Sequence, residues 1–169
     1  GHVGVPRRIA AYTVLVIANR ILGGAFTSRL NMNLREKHGF TYGVRSGFAF
    51  RKAPGPFLIQ TAVATDVTAR AIEEIRRETA ELLRDGPTSA ELNAARDYLS
   101  GTVPLELQTT EQIAGRAGEI FVFDLPADYF ARYRDELRQV TAEQALAAAR
   151  RHVRPDEFVW TIVGDAHAL

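Results

Sequence analysis

The sequence contains no cysteine. This absence excludes disulfide bonds, thiolate metal sites and cysteine nucleophiles. An excess of charge of one sign is also missing, because 21 Lys and Arg residues face 20 Asp and Glu residues and leave a formal net charge of +1. That balance gives no electrostatic reason to expect binding to nucleic acid or to an anionic membrane surface.

No long apolar run is present, since Asn19 and Arg20 interrupt the most apolar segment. A membrane helix needs roughly 20 consecutive apolar residues. Apolar residues make up 46% of the chain and charged residues 24%, which is ordinary for a globular protein. A chain of 169 residues is long enough to bury one core, so we expect a single domain over residues 1–169.

Zinc motifs and other self-contained catalytic motifs are also missing. Four histidines occur, at His2, His38, His152 and His167, and no two of them are four residues apart. No helix face therefore offers paired histidine ligands for zinc, and we interpret each histidine as a solvated side chain. The sequence has no GxGxxG motif, and no pair of carboxylates stands apart from the solvated helix faces.

The segment Ile9–Leu22 fits two interpretations. Its TVLVIA run is rich in β-branched residues and is compatible with a buried strand. The apolar zone is long, however, and it ends at Gly23-Gly24, which favours a buried helix. Ser28 then precedes a second short helix, and Gly39 is expected to end it.

A hairpin is predicted next, because two strand-like segments flank a KAPGP turn. These segments are Tyr42–Arg51 and Phe57–Thr65. A last strand is predicted at Glu157–Val163, and Gly1–Pro6 resembles the end of another. The predicted order is thus strand, helices, hairpin, several helices and strand. A hairpin with helices grouped after it predicts an α+β fold, with helices packed on an antiparallel sheet.

Helix starts are predicted from capping residues. Asp66 is expected to cap a helix that ends at Asp85. Thr88-x-x-Glu91 and Thr141-x-x-Gln144 have the pattern of capping boxes, in which the side chains at the two ends each bond to the other residue's backbone N–H.

The residues with the clearest chemical potential are Arg35 and Tyr42, seven positions apart. They lie near the end of the short helix and the start of the first hairpin strand. Arg35 brings a permanently cationic, bidentate donor and Tyr42 a phenolic proton, so together they suit a peptide carbonyl or the oxyanion formed when water attacks it. A structural alternative is open here, in which Arg35 pairs with Glu36 and Tyr42 is half-buried on the sheet.

Five sequence blocks, in order, resemble the C-terminal, non-zinc domain of the insulinase/pitrilysin family of zinc metallopeptidases. The blocks are LGG-x-FTSRL, LREKHGFTYGVRSGF, PGPFLIQTAVATDVTARAIEEIRRE, LRDGPTSAELNAARDYLSG and VTAEQALAAARRHVRPDEFVWTIVGD. The resemblance covers nearly the whole chain. It implies an α+β domain of the LuxS/processing-peptidase type that lacks its first strand, and it implies that Ile9–Leu22 is a helix.

In that family, two homologous domains or subunits face each other across a chamber. One carries HxxEH and a downstream glutamate, which bind zinc and activate water, and the other supplies an arginine and a tyrosine seven residues apart. The resemblance implies that Arg35 and Tyr42 are this pair and that they hold the peptide backbone near the scissile carbonyl. It implies no cofactor or metal in this chain, with zinc in the partner domain, so the chain alone is predicted to be inactive.

The partners implied are a homologous domain or subunit that bears HxxEH, and a peptide substrate. An isolated chain can also form a homodimer through the face that its partner would cover. Two alternatives stay open: a non-catalytic structural or assembly subunit of the same fold, and a generic α+β domain that binds a small ligand. The compartment is left open, a soluble bacterial-type protein of cytoplasm or periplasm being expected.

Overall fold

The computed structural model describes residues 1–165, and these form a small antiparallel sheet and seven α-helices. The predicted α+β fold is therefore confirmed. The strands are β1 (His2–Val3), β2 (Val44–Phe48) and β3 (Pro56–Thr61). The α-helices are α1 (Tyr12–Leu22), α2 (Arg29–Asn31), α3 (Thr68–Asp85), α4 (Ser89–Thr102), α5 (Thr110–Phe123), α6 (Tyr129–Gln139) and α7 (Ala142–His152).

The sheet has the order β1-β3-β2, and both pairs are antiparallel. β2 and β3 form the predicted hairpin, in a register that places Val44 opposite Thr61. β2 is shorter than predicted at both ends, whereas β3 begins one residue earlier than predicted and ends at Thr61 instead of Thr65. The connecting turn needs glycine at Gly55, because a Cβ atom there would lie 1.8 Å from the carbonyl oxygen of Ala49.

The predicted buried helix is α1, which begins at Tyr12 because residues 10–11 form a turn. It packs against α4, α6, α7 and β2. Leu15 and Ile17 are completely buried, as expected for a helix surrounded by other elements. Within residues 1–165, the helices are too short or too polar to cross a bilayer.

Two of the predicted capping residues begin their helices as expected. The Thr88 side chain accepts a hydrogen bond from the Glu91 backbone N–H at 3.2 Å, and Thr141 accepts the same bond from Gln144 at 3.2 Å. The prediction for Asp66 is wrong. A 3-10 turn at Thr65–Val67 carries the chain into α3, and no side chain caps that helix.

The predicted strand at Glu157–Val163 is also wrong. Glu157 ends a 3-10 turn, and residues 158–163 are not assigned to a regular strand. One reciprocal pair is present in this segment, in which the Val159 N–H donates to the Gly1 oxygen at 2.8 Å and the Gly1 amine donates to the Val159 oxygen at 2.9 Å. A regular strand requires several consecutive pairs.

The interpretation of every histidine as solvated fails at His2, which is 7% exposed. Its ring packs against those of Phe57 and Phe158, with centroids 5.2 and 5.7 Å away, and these two rings also contact each other at 6.2 Å. His38 and His152 are partly buried, and His167 lies outside the described residues.

Candidate functional site

Arg35 lies on a π-helical turn, Met32–Lys37, that continues α2. The widened turn is visible in the hydrogen bond from the His38 N–H to the Asn33 oxygen, at 3.1 Å. Gly39 then adopts a positive φ of 65° and ends the helix as predicted. π-Helical turns are rare and are often found at functional sites. No sequence pattern predicts this π-helical turn.

The guanidinium of Arg35 stacks on an aromatic ring. Its Cζ atom lies 4.1 Å from the centre of the Phe26 ring, which is favourable for a cation. Its Nη1 atom lies 3.2 Å from Glu36 Oε1, yet this buried nitrogen makes no hydrogen bond. The ion pair with Glu36 that the sequence left open is therefore present, and it leaves Nη1 of Arg35 without a hydrogen bond.

Tyr42 lies in the loop just before β2, and its side chain is 100% exposed. The half-buried position that the sequence left open is therefore wrong. The loop itself is held by Thr41, whose hydroxyl accepts from the Gly43 N–H at 3.0 Å and from the Thr61 hydroxyl at 2.9 Å. The backbone on both sides of the phenol is thus fixed while the phenol projects into solvent.

A cavity of about 460 Å³ lies beside Tyr42, lined by residues 23–26, Asn31 and residues 42–46. Phe26 belongs to this lining and also stacks on Arg35. Arg35 thus contacts one ring of the cavity lining, and Tyr42 is itself part of that lining. In the described part of the chain no hydrogen bond joins the two side chains.

The buried side chain of Asn31 fixes the two walls of this cavity to each other. Its Nδ2 donates to the oxygen of Ala25 at 2.9 Å and to the oxygen of Val44 at 2.8 Å, and its Oδ1 accepts from the Val44 N–H at 3.0 Å. One wall is the loop after α1 and the other is the start of β2. Sequence reasoning missed Asn31 because nothing local marks a polar residue as buried.

The glycine pair has a second role besides ending α1. A Cβ atom on Gly23 would lie 2.6 Å from Ser46 Oγ, so only glycine allows this close approach. The Ser46 N–H donates to the Gly23 oxygen at 3.1 Å, and Asn19 bonds to both the hydroxyl and the carbonyl of Ser46 at 2.8 and 3.1 Å. These bonds attach the loop to the free edge of β2.

Arg29, the first residue of α2, anchors the short helix to the rest of the domain. It donates to both carboxylate oxygens of Glu91, at 2.6 and 2.8 Å, and to the oxygen of Gly86 at 2.8 Å. Burial by itself would raise the pKa of Glu91, but the hydrogen bonds from Arg29 and Thr88 outweigh it and leave that pKa below its ordinary value. The pair is partly shielded from solvent, which strengthens it.

The titratable side chains of this domain are dispersed and do not converge as metal ligands would. In residues 1–165, His, Asp and Glu side chains form no group of three that could hold a metal ion.

Comparison with known proteins defines the class to which this fold and site belong. The family model described as "Peptidase M16 inactive domain" matches residues 3–99, a span that contains Arg35, Tyr42 and the cavity. The chain belongs to this family of inactive M16 domains, as the resemblance to the insulinase/pitrilysin family predicts.

Two solved structures and two curated relatives agree with this assignment. The M16 inactive domain from Pseudomonas fluorescens superposes with a TM-score of 0.86, at 33% identity over 92% of this chain and 37% of that chain. A protease from Helicobacter pylori shares the fold with a TM-score of 0.83, at 16% identity over 92% of this chain and 38% of that one.

The Bacillus subtilis protein named "Uncharacterized zinc protease YmxG" is 31% identical over 105 residues, which is 62% of this chain and 26% of that protein. The Helicobacter pylori "Non-peptidase homolog YmxG" is 24% identical over 147 residues, 86% of this chain and 34% of that protein. The chain thus spans about a quarter to two fifths of the length of these relatives.

Proposed function

We propose that this chain is the substrate-binding half of a zinc-dependent endopeptidase, in which Arg35 and Tyr42 hold the oxygen of the scissile carbonyl. The observation that carries the proposal is that the ring on which Arg35 stacks, Phe26, lines the same cavity as Tyr42. Arg35 Nη1 makes no hydrogen bond, and the whole phenol of Tyr42 is open to solvent next to the cavity. Hydrogen-bond donors that lack an acceptor suit an oxygen that gains negative charge.

The chemistry assigned to this chain is binding and electrostatic stabilisation. When water attacks a peptide carbonyl, the oxygen becomes an oxyanion, and donors about 2.7–3.1 Å away stabilise it. Arg35 would supply a permanent positive charge and Tyr42 a neutral O–H donor. Zinc and the general base are assigned to a partner domain that bears HxxEH, where the metal would polarise the carbonyl and activate the water.

Substitution in the full-length protein tests this role. We expect Arg35→Lys and Tyr42→Phe each to lower kcat about 10²–10³-fold, equivalent to about 2.7–4 kcal/mol of lost transition-state stabilisation. Arg76→Lys is the matched control, since its guanidinium also stacks on a ring, that of Trp160, at 5.3 Å. Turnover near that of the control, with folding intact, would contradict the proposal.

The assignment of substrate binding to this chain and of zinc to a partner domain has its own test. We expect the 169-residue chain alone to bind no stoichiometric zinc and to cleave no fluorogenic peptide, and cleavage to appear when an HxxEH-bearing partner is present. Metal analysis and the peptide assay measure these two properties. Cleavage by the isolated chain would show that it contains a catalytic centre of its own.

Exposed apolar and aromatic side chains near the site support a partner that covers this face. Phe26, Met32 and Tyr42 are 64%, 48% and 100% exposed. Such side chains cluster where another protein surface binds. In isolation, a second copy of this chain can take the partner's place, so we expect sedimentation equilibrium to show a homodimer that Phe26→Ser weakens.

A non-catalytic structural or assembly subunit is the second candidate. It is favoured by the name of one relative, since the Helicobacter pylori protein that matches 86% of this chain is called a non-peptidase homolog. The neighbouring sequence separates the candidates. An HxxEH domain in the same polypeptide or in an adjacent reading frame supports the peptidase, and its absence from both supports the assembly subunit.

A further inference from the structure

A second cavity, of about 570 Å³, is lined by the segment that leads into α1, by the turn before α6 and by α6 itself. It is separate from the cavity beside Tyr42, since no residue lines both. We call it the α6 cavity. Its lining contains three arginines and two carboxylates, which are Arg7, Arg8, Arg132, Asp124 and Glu136.

Arg7 is the buried cation of the α6 cavity, with only 4% of its surface exposed. Its Cζ atom lies 3.4 Å from the centre of the Tyr12 ring and 4.9 Å from that of the Tyr129 ring, and both rings line the cavity. No carboxylate of a described residue forms an ion pair with Arg7. Aromatic rings attract a guanidinium, but they do not neutralise its charge.

The phenol of Tyr129 is a second group that lacks a partner. Its Oη atom is buried and makes no hydrogen bond in the chain as far as Asp165. A buried hydroxyl without a partner is costly and can mark the position of a missing ligand. Burial raises the pKa of Tyr129, although the Arg7 guanidinium opposes this, so the phenol is protonated at neutral pH and can donate.

Glu136 brings a negative charge to the same cavity. Its Oε2 atom accepts a hydrogen bond from the Thr13 hydroxyl at 3.2 Å, and both residues belong to the lining. No Lys, Arg or His side chain among residues 1–165 pairs with Glu136. The remaining charged side chains of the lining belong to ion pairs, Arg8 with Asp124 and Arg132 with Asp128. The cavity therefore presents one unpaired cation and one unpaired carboxylate.

We propose that the α6 cavity binds a small zwitterion, an α-amino acid or a short peptide with free ends. The carboxylate of the ligand would bind Arg7 and Tyr129, and its ammonium group would bind Glu136. Such ion pairs are stronger where solvent is partly excluded. The lining also contains the apolar residues Ile9, Ala10, Leu125 and Pro126. An aliphatic side chain such as that of leucine suits these apolar neighbours.

Isothermal titration calorimetry of the protein with L-leucine, leucyl-leucine and leucyl-leucyl-leucine tests the inference. These three ligands carry the same two charges at increasing separation, so saturable binding by any of them supports the proposal, and the tightest of them gives the length of the ligand. We expect leucinamide, which lacks the carboxylate, and 4-methylpentanoate, which lacks the ammonium group, to bind about tenfold more weakly than L-leucine or worse. Binding by none of the zwitterions, or equal affinity for the two analogues, would overturn the inference.

A substitution in α6 locates the binding site. Glu136→Gln should weaken the tightest zwitterion about tenfold or more, and it should leave the affinity for 4-methylpentanoate unchanged because that molecule has no ammonium group. Asp135→Asn is the matched control, since Asp135 is exposed on the same helix and does not line the cavity. Zwitterion binding that is equal in the two variants would overturn the inference by placing the ligand elsewhere.

Discussion

The side chain of Asn31 pairs with the backbone of Val44 as a neighbouring strand would. Its Nδ2 donates to the Val44 oxygen at 2.8 Å, and its Oδ1 accepts from the Val44 N–H at 3.0 Å. Val44 is the first residue of an edge strand, so both groups would otherwise be buried without partners. The loop that carries Tyr42 is therefore held on its β2 side by one amide side chain, in addition to the bonds of Thr41.

We expect Asn31→Ala to lower the free energy of unfolding by about 1–3 kcal/mol, because it leaves the Val44 backbone groups buried and unsatisfied. Urea denaturation measures the change. Asn93→Ala is the control, since Asn93 is exposed on α4, and it should change stability by less than about 0.5 kcal/mol. An Asn31→Ala chain as stable as the control would show that water replaces the amide.

Gly23→Ala should destabilise the domain by about 1–3 kcal/mol, because the new Cβ atom would meet Ser46 Oγ at 2.6 Å and the Ser46 nitrogen at 2.9 Å. Gly101→Ala provides a control of opposite sign. Gly101 lies in α4, and a methyl group added there would have no neighbour within 4 Å, so alanine should stabilise that helix by about 0.5–1 kcal/mol. Thermal unfolding of both chains tests the contrast, and a neutral Gly23→Ala would contradict it.

The ion pair of Arg29 and Glu91 predicts a stability that depends on pH. The pKa of Glu91 is lower in the folded chain than its ordinary value of 4.5, so the folded state favours the carboxylate. The stabilisation is complete above pH 4.5 and is lost as pH falls through the folded-state pKa. Glu91→Gln should therefore cost stability at pH 7, and the difference from the wild type should shrink below about pH 4.

Denaturation curves of the Glu91→Gln chain at several pH values measure this effect. Glu111→Gln is the matched control, because Glu111 is exposed in the first turn of α5. A difference between wild type and Glu91→Gln that stays constant from about pH 7 to about pH 3 would contradict the prediction.

His2 predicts a second dependence on pH. Burial holds its pKa below the ordinary value of 6.5, the Arg154 guanidinium and the terminal amine act in the same direction, and the Val3 carbonyl and Glu157 oppose them. The unfolded chain therefore binds the proton more readily, and stability falls as pH drops below 6.5. The loss between about pH 7 and about pH 5 should be smaller in His2→Gln, and an equally steep loss in both chains would argue against the assignment.

Local features of the fold could be predicted from the sequence because their determinants lie within a few residues. The boxes at Thr88 and Thr141 each join residues three positions apart, and Gly39 ends its helix through its own φ angle. The same signal is present at Thr109, where the side chain accepts from the Gln112 N–H at 3.2 Å, and we did not predict that box.

Features that depend on distant partners could not be predicted. Buried Asn31 bonds to Val44, 13 positions away in the chain. The Nε2 atom of buried His2 accepts from the Arg154 N–H, 152 positions away. The candidate residues Arg35 and Tyr42 could be named from their spacing and chemistry. The stacking of Arg35 on Phe26 could not, because the π-helical turn that carries Arg35 over this ring has no sequence signature.

Because Tyr42 is completely exposed, what folding requires at this position can be distinguished from what binding requires. A side chain with all of its surface in water has no burial to lose, so folding is indifferent to which residue stands there. In a library of variants sorted only by cellular abundance, almost any amino acid should survive at position 42. Only contact with another molecule can restrict which amino acids are accepted at position 42. A restriction found there would therefore report binding and no effect on folding.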